Sequence, residues 1–414
     1  MNEAFEPSVA AAHARIAAVR PTDYARTRNA LDGAVTRLSP YLTHGFVDLA
    51  EVLAGVAAQH RLDLRHKFVF ELGWREYFHH VWQQRGDGIL QSLHAGPLPD
   101  AAYATTLPAD IRSATTGVPV VDQAVRALYA SGYLHNHARM WLASYVVHLR
   151  KLHWRAGADW LYAHLLDGDL ASNHLSWQWV AGTASHKPYL FDAANVARYA
   201  PPAWHSPGTV IDTSYEALDR FARDPAARAA ATMAPTAAAS PEPAVTTSPP
   251  AALGFTAPDA ANVAGHDVWL MHPWTLSAPP ADLPPGTRVI GLALAEFHQR
   301  WPWSERRWHF VAQGMAALAG PRWYGSQAAV AAALAGARSV HSVADPHLAS
   351  ALPALARCRP RPWLFGSGDR SGSTTASFSR WWASVTRGRD SLADLPGLQG
   401  LSPGPLFDAA ADPT

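Results

Sequence analysis

Between residues 225 and 264 the chain loses the means to build a core. The run AARAAATMAPTAAASPEPAVTTSPPAALG is Ala, Pro, Ser and Thr, and Glu242 is its single acid between 229 and 252. Large apolar side chains are too few there to offset the entropy of ordering a backbone. The composition predicts a disordered linker over 225–264. It therefore divides the chain into a region 1–224, a second region 265–366 and a C-terminal tail 367–414. The 414 residues are enough for two or three domains, and 48% hydrophobic against 16% charged residues leaves material for sizeable cores. A net charge of +1 gives no global argument for nucleic acid, although a local basic groove would not show in the sum. The lone Cys358 excludes an internal disulfide framework and any Cys-ligated metal site. The N-terminus lacks the apolar core of a signal peptide, and no run nears 18 apolar residues. A cytoplasmic protein with no membrane span and no metal is expected.

The first region reads as helical. Apolar residues recur at helical spacing over 8–20, 47–62 and 66–84. A helix is also expected from Pro119 to Ser131, with Gly132 as its stop, and another from 135 to about 153. Thr36 and Ser39 offer hydroxyls near a chain reversal, and Pro40 stands where a helix could start. Free N–H groups beside hydroxyls suit a phosphate, and a plain helix cap uses the same residues. Glu71 and Arg75 are spaced to pair on a helix surface. They also flank Trp74 in an aromatic-rich helix, where charge is usually kept for a purpose.

The most informative stretch is LLDGDLASNHLSWQW, Leu165 to Trp179. Asp167 and Asp169 flank a glycine, Asn173 follows, and Trp177 and Trp179 close the run. Carboxylates at a turn, an amide and two flat indoles suit a planar ligand with polar edges. The same residues also make a polar helix start packed by a core Trp pair.

This run resembles the flavin-binding core of the DNA photolyase/cryptochrome family, whose members carry DGDLAxN…WQW. Three further motifs follow the family's order over roughly 24–200. VTRLSPYL resembles the pyrophosphate segment, with Val35 where one hydroxyl is usual. ELGWREYF resembles the ExxWREFY helix. TGVPVVDQAVRAL-x3-GYLHNHARM resembles a run of about 30 residues, with Tyr133 in place of a Trp and His137 in place of an Arg that approaches DNA phosphate. His is neutral at pH 7 unless perturbed, which weakens the case for DNA binding.

The resemblance implies an all-helical FAD-binding domain. It implies that Tyr24, Thr36, Leu38, Ser39, Phe68, Glu71, Arg75, Tyr133, Asn136, Arg139, Asp167, Asp169 and Asn173 hold FAD. Asn173 would face the flavin's central nitrogen. Trp154 and Trp177 would relay electrons, with Tyr103 standing near the place of an outermost Trp. Glu71, Trp74, Asn136, Met140 and Trp179 would form a lesion pocket. The implied activity is blue-light-driven repair of cyclobutane pyrimidine dimers in damaged DNA, a carbon–carbon lyase reaction in which reduced flavin lends an electron. The dimer is flipped out of the duplex to reach it. The rival is a cryptochrome-like photoreceptor that binds FAD and signals through a protein partner. The identity of any antenna chromophore is not legible.

After the linker, short apolar runs at Val268–Met271, Val289–Ala293, Trp323–Tyr324, Val340–Val343 and Trp363–Phe365 alternate with helical stretches near 305–319, 326–336 and 346–357. Alternating units of this kind predict a Rossmann-like, doubly wound α/β domain. No GxGxxG is present, and Gly366-Ser-Gly368 is too short to read as a phosphate loop. Relatives place such a domain before the flavin domain, so the two would stand here in swapped order.

Overall fold

A computed structural model describes residues 5–229, 238–366 and 377–399. The described chain packs as two compact units. One contains 26–34 and 85–245; the other contains 5–25, 35–84 and everything from 246 onward. The partition differs from a simple break at the linker, because residues 35–84 pack with the C-terminal part. Gly45 shows how closely: its φ is +66°, and a Cβ there would lie 2.3 Å from the Trp274 carbonyl oxygen. The His44 ring meets the Pro273 carbonyl oxygen at 2.6 Å.

The first unit is helical. Pro119–Ser131 begins on its proline and ends at Gly132, whose φ of 68° makes a left-handed stop. The expected long helix over 135–153 is instead Asn136–Ser144, followed by one π turn, Tyr145–Leu149. Lys151 follows at φ 52°, and its buried Nζ donates to the carbonyls of His148, Phe221 and Ala222. Those bonds end the helix early and tie down the carbonyl end of Tyr215–Arg223. Trp154–His164 and Leu170–Ala181 pack against each other in the middle of this core. Residues 188–192 carry no helix or strand, and 193–199 form a helix capped by Asp192.

Part of the expected disordered stretch is ordered. Residues 230–237 lie outside the described ones, whereas 225–229 and 238–264 are described. The single acid explains the order near 242. Glu242 accepts hydrogen bonds from Arg112 Nε, from Trp160 Nε1 at 3.0 Å and from the His164 ring at 3.1 Å. One charge with three donors fixes what composition alone leaves loose. Glu242→Ala is expected to cost the helical unit about 1–2 kcal/mol and to speed proteolytic cleavage in 238–245 several-fold. An unchanged digestion rate would mean the segment is held by something else.

The second unit carries a six-stranded, all-parallel sheet. Its strands, in spatial order, are Phe255–Thr256, Arg322–Gly325, Arg288–Leu294, Asp267–Met271, Ser339–Val343 and Arg357–Arg359. Val268, Leu270, Ile290, Leu292 and Trp323 are fully buried, as both-face burial of a parallel sheet requires. The helices Glu305–Ala316 and Gln327–Leu334 make two of the crossovers. Four of the five expected runs are strands. Trp363–Phe365 is not one. The Leu364 and Phe365 N–H groups donate to the Glu76 carboxylate, each at 2.6 Å, and the edge position goes to Arg357–Arg359. The stretch 346–357 holds only a turn at Pro346–Leu348 and the short helix Leu352–Leu355. Within the expected tail, 377–399 contains the helix Phe378–Thr386; 367–376 and 400–414 lie outside the described residues.

Candidate functional site

In the helical unit the Leu165–Trp179 run becomes a capped helix. Asp169 Oδ1 accepts from the Ser172 N–H at 2.8 Å and so starts Leu170–Ala181. The helix is buried on nearly every side. Its polar members are accordingly paired. His174 bonds the Leu170 carbonyl and Asp159 at 2.8 Å; burial pushes its pKa down. Gln178 donates to the Ile89 carbonyl oxygen and accepts from the Leu93 N–H. Asn173, 7% exposed, donates from Nδ2 to the Ala158 carbonyl oxygen at 2.8 Å. That bond uses the amide as a donor and restricts how its plane can turn.

Asp167 lies two residues before the cap, with its side chain 3% exposed. Both of its oxygens accept from Arg139 Nη2, at 2.7 and 2.9 Å. Arg139 also donates from Nε to the Leu134 carbonyl oxygen, and its guanidinium lies over the Tyr133 ring at 5.6 Å. Tyr133, Arg139, Asp167, Asp169 and Asn173 therefore belong to one unit, and three of them form one contact chain.

Trp154 and Trp177 are each 2% exposed. Trp154 Nε1 donates to Ser92 Oγ at 3.0 Å. The Trp177 ring sits where a Cβ on Gly157 would meet it at 2.3 Å, so only glycine lets these two helices approach. Tyr103 shares the wall of one small cavity with Trp154 and His153. Burial raises its phenol pKa. Asn136 is exposed and its Nδ2 reaches Met140 Sδ at 3.6 Å. Trp179 stays 37% exposed, beside Tyr189 at 5.7 Å. His137, by contrast, is drawn inside. It bonds the Asn29 carbonyl oxygen at 2.7 Å and stacks on Trp141 at 4.5 Å. Burial lowers its pKa, so it stays neutral near pH 7.

The other expected residues lie in the second unit. Ser39 opens the short helix Ser39–Thr43, and Thr36 Oγ1 accepts from the Leu38 N–H at 3.4 Å. Leu38 is 2% exposed. Tyr24 and Phe68 meet edge to face at 5.7 Å. Glu71 pairs with Lys67 at 2.8 Å on the helix Lys67–Arg85, and Arg75 Nη2 donates to Thr43 Oγ1. Trp74 is stacked on Phe378, with centroids 3.9 Å apart and planes 7° from parallel.

Two features escape sequence reading. Glu76 is 4% exposed and holds the 364–365 backbone; burial pushes its carboxyl up to about 7 despite those N–H bonds. The signal was available: Val69, Gly73, Glu76 and His80 form one helical stripe, which places the acid on the buried side. The other lies at the carboxyl ends of the strands Asp267–Met271 and Ser339–Val343, where the strand order reverses. His347 pairs there with Asp345 at 2.7 Å and stacks on Trp274 at 4.2 Å, while Arg361 reaches the same carboxylate at 3.0 Å. Open α/β sheets take ligands at such a point; here this chain's own side chains occupy it.

Among the described residues no group of three or more His, Cys, Asp or Glu could hold a metal ion. No described helix is long and apolar enough to cross a membrane.

Residues 68–205 match the family model described as the FAD binding domain of DNA photolyase. A deoxyribodipyrimidine photo-lyase from Streptomyces griseus is 36% identical over 176 residues, covering 39% of this chain and 36% of that protein. A cryptochrome DASH from Idiomarina loihiensis is 32% identical over 169 residues, covering 39% of this chain and 38% of that one. The chain thus spans little more than a third of the length of these relatives. A solved cryptochrome from Synechocystis sp. aligns at 28% identity with a TM-score of 0.42, covering 48% of this chain and 44% of that one. The matched region includes the DGDLASN…WQW run; over it the chain is similar to the FAD-binding domain of DNA photolyases and cryptochromes, and FAD is the cofactor that this similarity supports.

Proposed function

We propose that this chain is a blue-light-driven, FAD-dependent enzyme that splits cyclobutane pyrimidine dimers in damaged DNA. The observation that carries the reading is Asn173: a buried amide whose Nδ2 is taken up by the Ala158 carbonyl, which makes Oδ1 the group it can offer a ligand. That acceptor suits a ring N–H at the edge of reduced flavin. Tyr133, Asn136, Arg139, Asp167 and Asp169 of the same unit would hold polar edges of the cofactor. The flavin's part is to supply an electron on excitation. The protein's part is to exclude water around it and to deliver electrons inward through Trp154 and Trp177. The exposed side chains of Asn136 and Trp179, with the half-buried Met140 beside Asn136, suit contact with a flipped base, through the amide edge and the exposed indole.

The α/β region is read as the family's doubly wound domain placed after the helical one. Its parallel strand order, reversing at Asp267–Met271, supports a Rossmann-like sheet. The side chains filling the reversal point give no support to an antenna ligand there.

A cryptochrome-like photoreceptor is the second reading, and His137 favours it. Where the resemblance expects a cation near DNA phosphate, this chain has a buried, neutral imidazole.

Light-dependent removal of dimers from DNA by the reduced protein tests repair directly. Two variants test the placements. Asn173→Asp is expected to retain FAD and change its one-electron redox behaviour in a spectroelectrochemical titration; an unchanged titration refutes the placement. Trp177→Phe is expected to slow photoreduction at least tenfold while sparing FAD content. Normal photoreduction would dismiss Trp177 from the relay.

A further inference from the structure

The aromatic face of the helix Lys67–Arg85 is covered by the chain itself. Phe70, Trp74, Tyr77 and Phe78 rise from one side of that helix at spacings of three and four. The helix Phe378–Thr386 lies against them. Phe378 stacks flat on Trp74 at 3.9 Å and 7°, and meets Phe70 at 4.8 Å and Tyr77 at 5.5 Å. Trp382 reaches Phe70 at 5.3 Å and sits over Gly73, where a Cβ would meet its ring at 2.4 Å. Near-parallel overlap at this distance is how a nucleobase lies on an indole. Phe378 thus presents to Trp74 the geometry that a flat ligand ring would present.

The contact is tight and incompletely satisfied. Phe378 is 4% exposed and Trp381 fully buried. Yet the Trp381 Nε1–H is buried with no hydrogen-bond partner among the described residues. A buried donor left unpaired weakens the docked state relative to one in which water reaches it. The preceding backbone at Leu364–Phe365 is held separately, by Glu76.

We propose that the helix Phe378–Thr386 is an autoinhibitory plug. Phe378 occupies the stacking face of Trp74, and a flipped base reaches that face only when the helix leaves. The proposal rests on the repair reading above and on the resemblance of ELGWREYF, which implies that Trp74 belongs to the lesion pocket. It implies that DNA binding and helix release are coupled, so removing the ring raises affinity.

The test uses the full FAD-loaded chain and a labelled single-stranded oligothymidine carrying one cyclobutane dimer, with affinity read by fluorescence anisotropy. Phe378→Ala is expected to bind about tenfold tighter than the unaltered protein, equivalent to about 1.4 kcal/mol. Phe378→Leu keeps most of the buried volume while removing the flat ring, and guards against a folding failure; it is expected to bind several-fold tighter. Adding Trp74→Ala to either is expected to abolish the gain. If the unaltered chain binds and repairs the dimer while both Phe378 variants bind with unchanged affinity, the plug is overturned and the repair reading stands. A gain that survives Trp74→Ala also overturns the plug. If no variant binds dimer-containing DNA, the plug and the repair reading fall together.

Discussion

Arg139→Ala is expected to destabilise the helical unit by about 3–5 kcal/mol. The substitution removes both hydrogen bonds that Arg139 gives to Asp167, whose side chain is 3% exposed. The loss comes from weakening the compensation of a buried carboxylate. A second substitution tests this. Arg139→Leu combined with Asp167→Leu removes both charges, and is expected to recover most of the stability while losing FAD. Chemical denaturation with a far-ultraviolet signal measures the first effect, and flavin content after purification measures the second. A loss below about 1 kcal/mol for Arg139→Ala would mean that the pair behaves as a solvated surface ion pair.

The second large effect depends on pH. Burial holds the Glu76 carboxyl at about 7, against an ordinary value of 4.5, and outweighs the lowering pull of the Phe365 and Leu364 N–H groups and of Arg389. A folded-state pKa above the unfolded one means that the fold favours the protonated acid. Its contribution is therefore complete below pH 4.5 and is lost as pH rises through 7. A shift of this size corresponds to about 3 kcal/mol. His80, one helical turn on, has its pKa lowered by burial and stays neutral over the upper part of this range. Glu76→Gln cannot titrate. Relative to that variant, the unaltered protein is expected to lose about 3 kcal/mol of unfolding free energy between pH 4.5 and pH 7.5. Parallel stability curves would show that water reaches the carboxyl.

Much of the fold was legible because its signals are local. Pro119 and Gly132 bracket a helix for backbone reasons that need no neighbours. Four strands announced themselves as apolar runs because a parallel sheet buries both faces. What failed was decided at long range. Trp363–Phe365 has a strand's composition, but its N–H groups go to an acid 288 and 289 residues earlier in the chain. The helix after Asn136 ends early because Lys151 finds carbonyls some 70 residues away. Glu242 is unremarkable in a low-complexity run until Arg112, Trp160 and His164 surround it. The same limit applies to the site. The motif named Asp167, Asn173 and Trp177, but not that Arg139 pairs with the first or that Gly157 makes room for the last. Nor could it reveal that Phe378, some 300 residues on, lies on Trp74.

The central claim is that the chain binds FAD and uses its light chemistry on pyrimidine dimers. The most direct measurement is a visible spectrum of the dark-purified protein, followed by blue-light illumination of the reduced protein with dimer-containing single-stranded DNA. The account predicts a yellow protein whose reduced form restores the thymines only in the light. A yellow protein that photoreduces but leaves every dimer intact would contradict repair and leave the photoreceptor reading. A colourless protein that takes up no added FAD would contradict the site itself.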